Sequence, residues 1–220
     1  MRNYTLHLIR HGLIQANLDG LFVGSGTDAP LIEEGRRRLA QLREDYGYPP
    51  VEKLYTSPMK RCLETCEIIY PDTDYTIVTD LREISFGAFE GKSVRQLLET
   101  DPDVVKYMDP EADFTPEGGE SGRELGNRAL GALDEILQDM MKNGIHEAAA
   151  VSHGVIISIL LAAVGYPKKD ALDWSSDNGC GFTLTTTPAL WMRDGAVEVV
   201  DIVPKGYLDG KTEEDRDGDI

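Results

Sequence analysis

Short apolar strand segments alternate with longer amphipathic helical segments along most of this chain. The β-prone segments are 4–9, 51–57, 75–80, 147–154, 181–187 and 196–203, and helical periodicity covers 33–47, 59–70, 120–144 and 155–165. Strands that alternate with helices favour a mostly parallel sheet, because each helix carries the chain back to the edge where the next strand begins. The pattern therefore predicts a three-layer α/β/α sandwich with helices on both faces of the sheet.

The length of 220 residues predicts one domain over residues 1–208, since no internal repeat or Ser/Gly-rich linker divides the chain. The segment of about 86–120 has three prolines among short helical pieces and is expected to form a small cap. Such a cap is either a lid that selects substrate or a solvated surface insert. The final two strands are expected to form a hairpin around the sequence RDG, and the acidic residues 209–220 a disordered tail.

The formal net charge of −17 argues against nucleic acid or an anionic membrane as a partner, because both require a basic surface. A small anionic substrate remains compatible, since a few arginines in one cleft can outweigh distant acidic charges. Three cysteines without a pairing pattern predict reduced thiols in the cytoplasm. Cys62 and Cys66 share a helix face and are interpreted as small core residues rather than as a metal pair.

Two of the predicted strands end in the same way. Arg10-His11-Gly12 follows the first strand, and Ser152-His153-Gly154 follows a buried strand 142 residues later. Ligand sites in such folds form at the carboxyl ends of the strands, and glycine lets the backbone approach a ligand closely. Arg61 lies at a third strand-to-helix junction, and Glu83 lies beside a glycine-rich turn.

These residue types suit chemistry on a phosphoryl group. A neutral imidazole is a nucleophile near pH 7, a guanidinium matches phosphate oxygens, and a carboxylic acid can protonate a leaving group. No metal or cofactor is expected, because the chain has no nucleotide-binding loop and no metal motif. Alternatively, Arg61 is a charged side chain on the solvated face of a helix, and Glu83 is an exposed acidic residue in a turn.

Together these pieces resemble the histidine phosphatase superfamily, in its phosphoglycerate-mutase-like branch. The matching segments occur in family order and are RHG with Asn17, GSGTDAPLIEEG, SPMKRCLET, LREISFGAFEG, PEGGES, VSHG and NGCGFT. The resemblance implies a catalytic set of His11, Glu83 and His153, and a phosphate-binding set of Arg10, Asn17, Arg61 and Gly154. In it, His11 accepts the phosphoryl group, Glu83 is the general acid and then the base, and His153 supports the phosphoryl oxygens. Asn17 as a helix cap is the rival interpretation.

The resemblance implies a metal-independent phosphomonoesterase that acts on a small phosphate ester, close to α-ribazole and broad-specificity phosphatases. Two alternatives are a cofactor-dependent phosphoglycerate mutase and a non-catalytic module that binds a phospholigand or a protein. Leu13, Ile14, Val23 and Ile32 replace polar residues common in the family, and the acidic cap lacks the mutases' paired arginines, which favours hydrolysis. Pairing of two copies at a sheet edge would give a homodimer, but nothing in the sequence requires it.

Overall fold

The computed structural model describes residues 3–108, 112 and 114–207, which include a mixed seven-stranded sheet. Its strands are β1 (Tyr4–Arg10), β2 (Lys53–Thr56), β3 (Tyr75–Ile77), β4 (Glu147–Ser152), β5 (Gly165–Tyr166), β6 (Gly181–Thr186) and β7 (Val197–Val203). They lie in the order β3-β2-β4-β1-β6-β7-β5. Four of the six pairings are parallel, and β6 runs antiparallel to both β1 and β7. The first four strands thus all end at one edge of the sheet.

Eight α-helices accompany this sheet in the described part of the chain. They are α1 (Gln15–Leu18), α2 (Glu33–Asp45), α3 (Lys60–Ile69), α4 (Val94–Thr100), α5 (Val104–Tyr107), α6 (Gly122–Asn143), α7 (Gly154–Val164) and α8 (Pro188–Asp194). The longest, α6, has clear boundary signals. Ser121 and Glu124 form a capping box at its start, and Gly144 adopts a positive φ of 68° at its end.

The central strands divide their side chains between two cores. Ala148 and Ala150 of β4 belong to the cluster built with α6 and α7, whereas Ala149 and Val151 belong to the cluster built with α2 and α3. Successive strand residues point to opposite faces, so the four consecutive apolar residues of β4 are covered on both sides of the sheet. The predicted α/β/α sandwich with a mostly parallel sheet is confirmed.

The connection between the last two strands differs from the predicted simple hairpin. β6 and β7 are antiparallel neighbours as expected, but α8 lies between them. Thr187 caps this helix by accepting from the backbone N–H of Leu190, and Pro188 occupies its first turn. Proline fits that position because the first N–H groups of a helix have no partner within it.

The described part of the cap is packed into the protein. Leu97 of α4 and Val104 of α5 are fully buried in the same cluster as Phe89. The solvated-insert interpretation therefore does not fit these residues, and the lid interpretation stays a prediction. Residues 109–111 and 113 of the cap and the predicted tail 209–220 lie outside the described residues, and the single-domain boundary at 208 stays a prediction. No described helix is long and apolar enough to cross a membrane.

Candidate active site

The ends of β1, β4 and β2 bring the two strand-end histidines together. In the parallel register Arg10 lies opposite Ser152, and the backbone N–H of His11 donates to the Ser152 carbonyl at 2.9 Å. His11 and His153 thus leave adjacent strands at the same level. Their ring centroids are 5.2 Å apart, in an edge-on arrangement. Residues 142 positions apart in the chain are neighbours because one strand register aligns them.

His11 is held in one tautomer. Its Nδ1 lies 2.6 Å from the carbonyl oxygen of Gly12, and a carbonyl can only accept, so Nδ1 carries the hydrogen. Nε2 therefore has the free lone pair. Burial lowers the pKa of His11 well below its ordinary value, and the cations Arg61 and Arg10 lower it further. The imidazole is neutral near pH 7, which is the state a nucleophile requires.

Both ring nitrogens of His153 bind protein groups. Arg61 donates from Nε to Nδ1 at 3.2 Å, so Nε2 carries the hydrogen and donates to Oγ of Ser57 at 2.8 Å. Burial lowers the pKa of His153 well below its ordinary value, and the charge of Arg61 adds to this. His153 is also the N-cap residue of α7, whose positive end therefore begins at the site.

Arg61 is fully buried and is not a solvated helix charge. Besides the bond to His153, its Nη1 and Nη2 donate to the carbonyls of Thr27 and Gly24 at 3.1 and 3.0 Å. Arg10 donates from Nη1 to the Ser176 carbonyl at 2.6 Å. These bonds fix two guanidinium groups beside the histidine pair, where they create a positive potential suited to a phosphate.

Glu83 is 6% exposed and is likewise not an exposed turn acid. Its Oε1 accepts from the backbone N–H of Ile84 at 3.0 Å, and its carboxylate also accepts from the backbone of Val155 in the first turn of α7. Burial raises the pKa of Glu83 above its ordinary value, although these hydrogen bonds and the charge of Arg61 oppose the shift. A carboxyl group with a raised pKa is suited to donate a proton.

Asn17 and Gly154 lie at the margin of this cluster. Asn17 is exposed, and its Oδ1 accepts from the backbone N–H of Ile14 at 3.1 Å, so it caps the short helix α1 as the rival interpretation stated. This bond orients the amide with Nδ2 as its donor. A Cβ added to Gly154 would lie 3.4 Å from Nε of Arg10, in ordinary van der Waals contact, so Gly154 lies directly beside that guanidinium.

Sequence reasoning missed four residues that orient this cluster, namely Ser57, Thr65, Ser176 and Asn178. Thr65 accepts from the N–H of Gly12 at 2.9 Å, and Asn178 donates to the carbonyl of His11 at 3.0 Å. Ser57 could have been found, because it also ends a parallel strand. Thr65 and Asn178 bind backbone groups of other residues, and Ser176 acts through its own backbone carbonyl. Sequence gives no signal for such contacts.

Three aromatic residues lie in or near the segment that follows Glu83. Phe86 and Phe89 are 6% and 1% exposed and belong to the main core cluster. Tyr107 packs edge-on against Phe22, with ring centroids 5.7 Å apart. Burial raises the pKa of Tyr107 to about 12, and the charge of Glu83 contributes to this shift. Tyr107 is therefore the one of these three aromatic residues whose titration is coupled to Glu83.

The buried cysteines are part of the frame around the site. Cys62 and Cys66 of α3 are fully buried and belong to the cluster between α3 and the sheet, as the core interpretation predicted. The Cys62 sulfur lies 3.5 Å from Nε2 of His153. Burial raises the pKa of Cys62 well above its ordinary value, so the thiol is protonated and inert at neutral pH.

The chain is similar to known proteins along most of its length. The family model of the histidine phosphatase superfamily (branch 1) matches residues 6–193. A "Probable phosphoglycerate mutase GpmB" of Proteus mirabilis is 30% identical over 165 residues, which are 72% of this chain and 74% of the relative. The fructose-2,6-bisphosphatase TIGAR B of Danio rerio is 29% identical over 148 residues, which are 64% of this chain but only 56% of that relative.

A solved structure supports the same assignment at the level of the fold. The α-ribazole phosphatase of Shigella flexneri superposes with a TM-score of 0.71 at 23% identity, over 89% of this chain and 94% of that one. The matched family model begins in β1 and ends in α8, so it includes every residue of the candidate site. The chain belongs to branch 1 of the histidine phosphatase superfamily.

Proposed function

We propose that this protein is a metal-independent phosphomonoesterase that hydrolyses a small phosphate ester through a phosphohistidine at His11. The observation that carries the proposal is the state of His11: Nδ1–H is bound to the Gly12 carbonyl, and burial, together with the charges of Arg61 and Arg10, keeps the ring neutral. That state leaves Nε2 as a nucleophile beside groups that bind a phosphate. Glu83, with its raised pKa, supplies an acid within the same cluster.

In the first step the lone pair of His11 Nε2 attacks phosphorus, and the bond from phosphorus to the ester oxygen breaks. The electron pair of that bond goes to the ester oxygen, which takes the proton of the Glu83 carboxyl group. The products are an alcohol, phosphohistidine and the Glu83 carboxylate. The positive charges of Arg10 and Arg61 stabilise the transferring phosphoryl group, because hydrogen bonds to protein carbonyls already hold both guanidinium groups beside the histidine pair. His153, whose ring lies next to that of His11, supports the phosphoryl group from the same side.

In the second step a water molecule attacks the phosphohistidine. The Glu83 carboxylate takes a proton from the water as its oxygen bonds to phosphorus. The bond from phosphorus to nitrogen breaks, and its electron pair returns to Nε2 of His11. Inorganic phosphate leaves, and both residues regain their starting states, so one carboxyl group acts as acid and then as base.

Mutase activity is the second candidate, because of the 30% identity to the Proteus mirabilis protein. A mutase must bind a substrate with further negative groups and keep its phosphoenzyme from water. The segment 92–121 has three cations, Lys92, Arg95 and Lys106, against eight acidic residues, so its charge disfavours a multiply anionic substrate. This balance supports hydrolysis. The three buried, unbridged cysteines support action in the reducing cytoplasm.

The test is phosphate release from a panel of phosphomonoesters with a chelator present, for the wild type and for His11→Ala. The proposal predicts chelator-resistant release by the wild type and none by the variant. Activity that depends on a bisphosphoglycerate primer would replace the phosphatase by the mutase. Phosphate binding without any turnover would refute both and favour a phospholigand-binding module. His146→Ala, which removes an exposed histidine just before β4 at the opposite edge of the sheet from His11, is the matched control and should keep the wild-type rates.

A further inference from the structure

Another arginine with a largely buried side chain, Arg128, lies on α6. The side chain of Arg128 is 9% exposed and that of its partner Glu120 is 14% exposed. Arg128 donates from Nε and Nη2 to the two carboxylate oxygens of Glu120, at 2.8 and 2.6 Å. We call this two-residue pair the clamp. Such a two-pronged arrangement fixes the orientation of both side chains.

The remaining donors of the clamp hold the segment that leads into Glu83. Nη1 of Arg128 donates to the carbonyl oxygens of Asp80 and Arg82, at 2.7 and 2.8 Å. The carbonyl between them, that of Leu81, accepts from Oγ of Ser152 at 3.0 Å. Three consecutive carbonyl groups immediately before Glu83 are therefore fixed by side chains from α6 and β4.

The acidic partner of the clamp holds the other side of Glu83. The backbone N–H of Glu120 donates to the carbonyl of Ser85 at 2.9 Å, and its Oε2 accepts a long bond of 3.4 Å from the N–H of Ser85. Hydrogen bonds thus hold the backbone two residues after Glu83 as well as immediately before it. Glu83 itself makes no contact with the clamp in these bonds.

We propose that the Arg128–Glu120 clamp positions the Glu83 carboxyl group for proton transfer to the leaving group. This inference rests on the proposed function of Glu83. Arg128 is a positioning residue, because it binds the backbone around Glu83 and not the reacting atoms. A general acid must lie within hydrogen-bonding reach of the oxygen it protonates, and a displacement of 1 Å can cost about 100-fold in rate. Loosening the clamp should therefore impair the proton-transfer step in particular.

The experiment compares kcat/KM for two esters in Arg128→Met and Glu120→Gln. Glycerol 2-phosphate has a poor alkoxide leaving group that needs a proton, whereas p-nitrophenyl phosphate has a good one. The parameter kcat/KM covers the reaction only up to departure of the leaving group, so it isolates the acid role of Glu83 from its later role as base. Arg128→Met should lower kcat/KM at least about tenfold more for the alkyl ester than for the aryl ester.

Two comparisons separate positioning from a merely structural effect. Arg128→Lys keeps the positive charge but not the planar, two-pronged guanidinium group. Its additional loss of kcat/KM on the alkyl ester should therefore be smaller than that of Arg128→Met but still present. In a Glu83→Gln background the alkyl-specific loss caused by Arg128→Met should disappear, because both changes act on one step. Asp139→Asn is the matched control, since Asp139 also lies on α6 and accepts a 2.5 Å hydrogen bond from Tyr55. That variant should lower kcat/KM equally for both esters or for neither.

The positioning role is overturned if Arg128→Met lowers kcat/KM equally for the two esters. It is also overturned if the additional loss on the alkyl ester persists in the Glu83→Gln background. If Arg128→Met does not fold, Glu120→Gln decides by the same criteria, because it preserves the size and one acceptor oxygen of the side chain. Failure of the proposed function has a different signature. In that case the wild type releases phosphate from neither ester, or His11→Ala releases it as fast as the wild type.

Discussion

Replacing Arg61 by Met removes three hydrogen-bond donors from the protein interior at once. The donors bind Nδ1 of His153 and the carbonyls of Gly24 and Thr27, at 3.0–3.2 Å. An unsatisfied buried acceptor costs about 1–3 kcal/mol, so three cost about 3–9 kcal/mol. Removal of the buried guanidinium also removes its desolvation cost, which offsets part of this loss. The net loss in the free energy of unfolding should be about 2–5 kcal/mol, a large part of the ~5–15 kcal/mol typical of a domain.

Urea denaturation of Arg61→Met against the wild type measures this loss from the shift in midpoint at unchanged slope. Arg36→Met is the control, because Arg36 is 38% exposed and forms a surface ion pair with Glu64, worth about 1 kcal/mol or less. Inorganic phosphate should stabilise the wild type and not Arg61→Met, since a ligand stabilises only the state that binds it. A loss no larger than that of Arg36→Met, with phosphate stabilisation intact, would refute the reasoning.

Two further predictions concern pH and the glycines. His11 must be neutral and its pKa is lowered, whereas Glu83 must be protonated and its pKa is raised. For an alkyl ester kcat/KM should thus have an acidic optimum: it should decrease at pH values below the His11 pKa, where His11 becomes charged, and above the Glu83 pKa, where Glu83 loses its proton. If kcat/KM for aryl esters decreased equally steeply on the basic side, the acid role of Glu83 would be contradicted. A Cβ at Gly24 would lie 1.8 Å from the Ile84 carbonyl, so Gly24→Ala should lower stability by about 1–3 kcal/mol in urea denaturation. Gly131 is exposed on α6, and a Cβ there would meet no atom within 4 Å, so Gly131→Ala should raise stability by about 0.5–1 kcal/mol. Equal effects of the two changes would show that the contact at Gly24 does not matter.

The sheet and the meeting of the two histidines could be predicted because both follow from local patterns. Apolar strand segments alternate with amphipathic helices, and parallel strands share the edge at which they end. The helix between β6 and β7 was missed, although Thr187, Pro188 and Gly195 are typical helix-boundary residues. Seven residues give too short a periodic pattern to distinguish such a helix from a turn.

The supporting residues of the site could not be predicted, because their partners are backbone atoms brought near only by the fold. Asn178 and Thr65 bind the backbone of His11 and Gly12 from distant segments. Arg128 lies on a long amphipathic helix, where an arginine is usually a solvated charge. Only the folded structure reveals the four hydrogen bonds of Arg128, two to Glu120 and two to the carbonyl groups of the segment before Glu83.

The most direct test of the central claim is to trap the phosphoenzyme and map the phosphorylated residue. The protein is mixed with a radiolabelled phosphomonoester, quenched in alkali, which preserves phosphohistidine, and digested for peptide mapping. The account predicts one phosphoryl group on His11, at Nε2, and no label in His11→Ala. Phosphate mapped to His153, or turnover of the ester without any covalent label at rapid quench times, would contradict it.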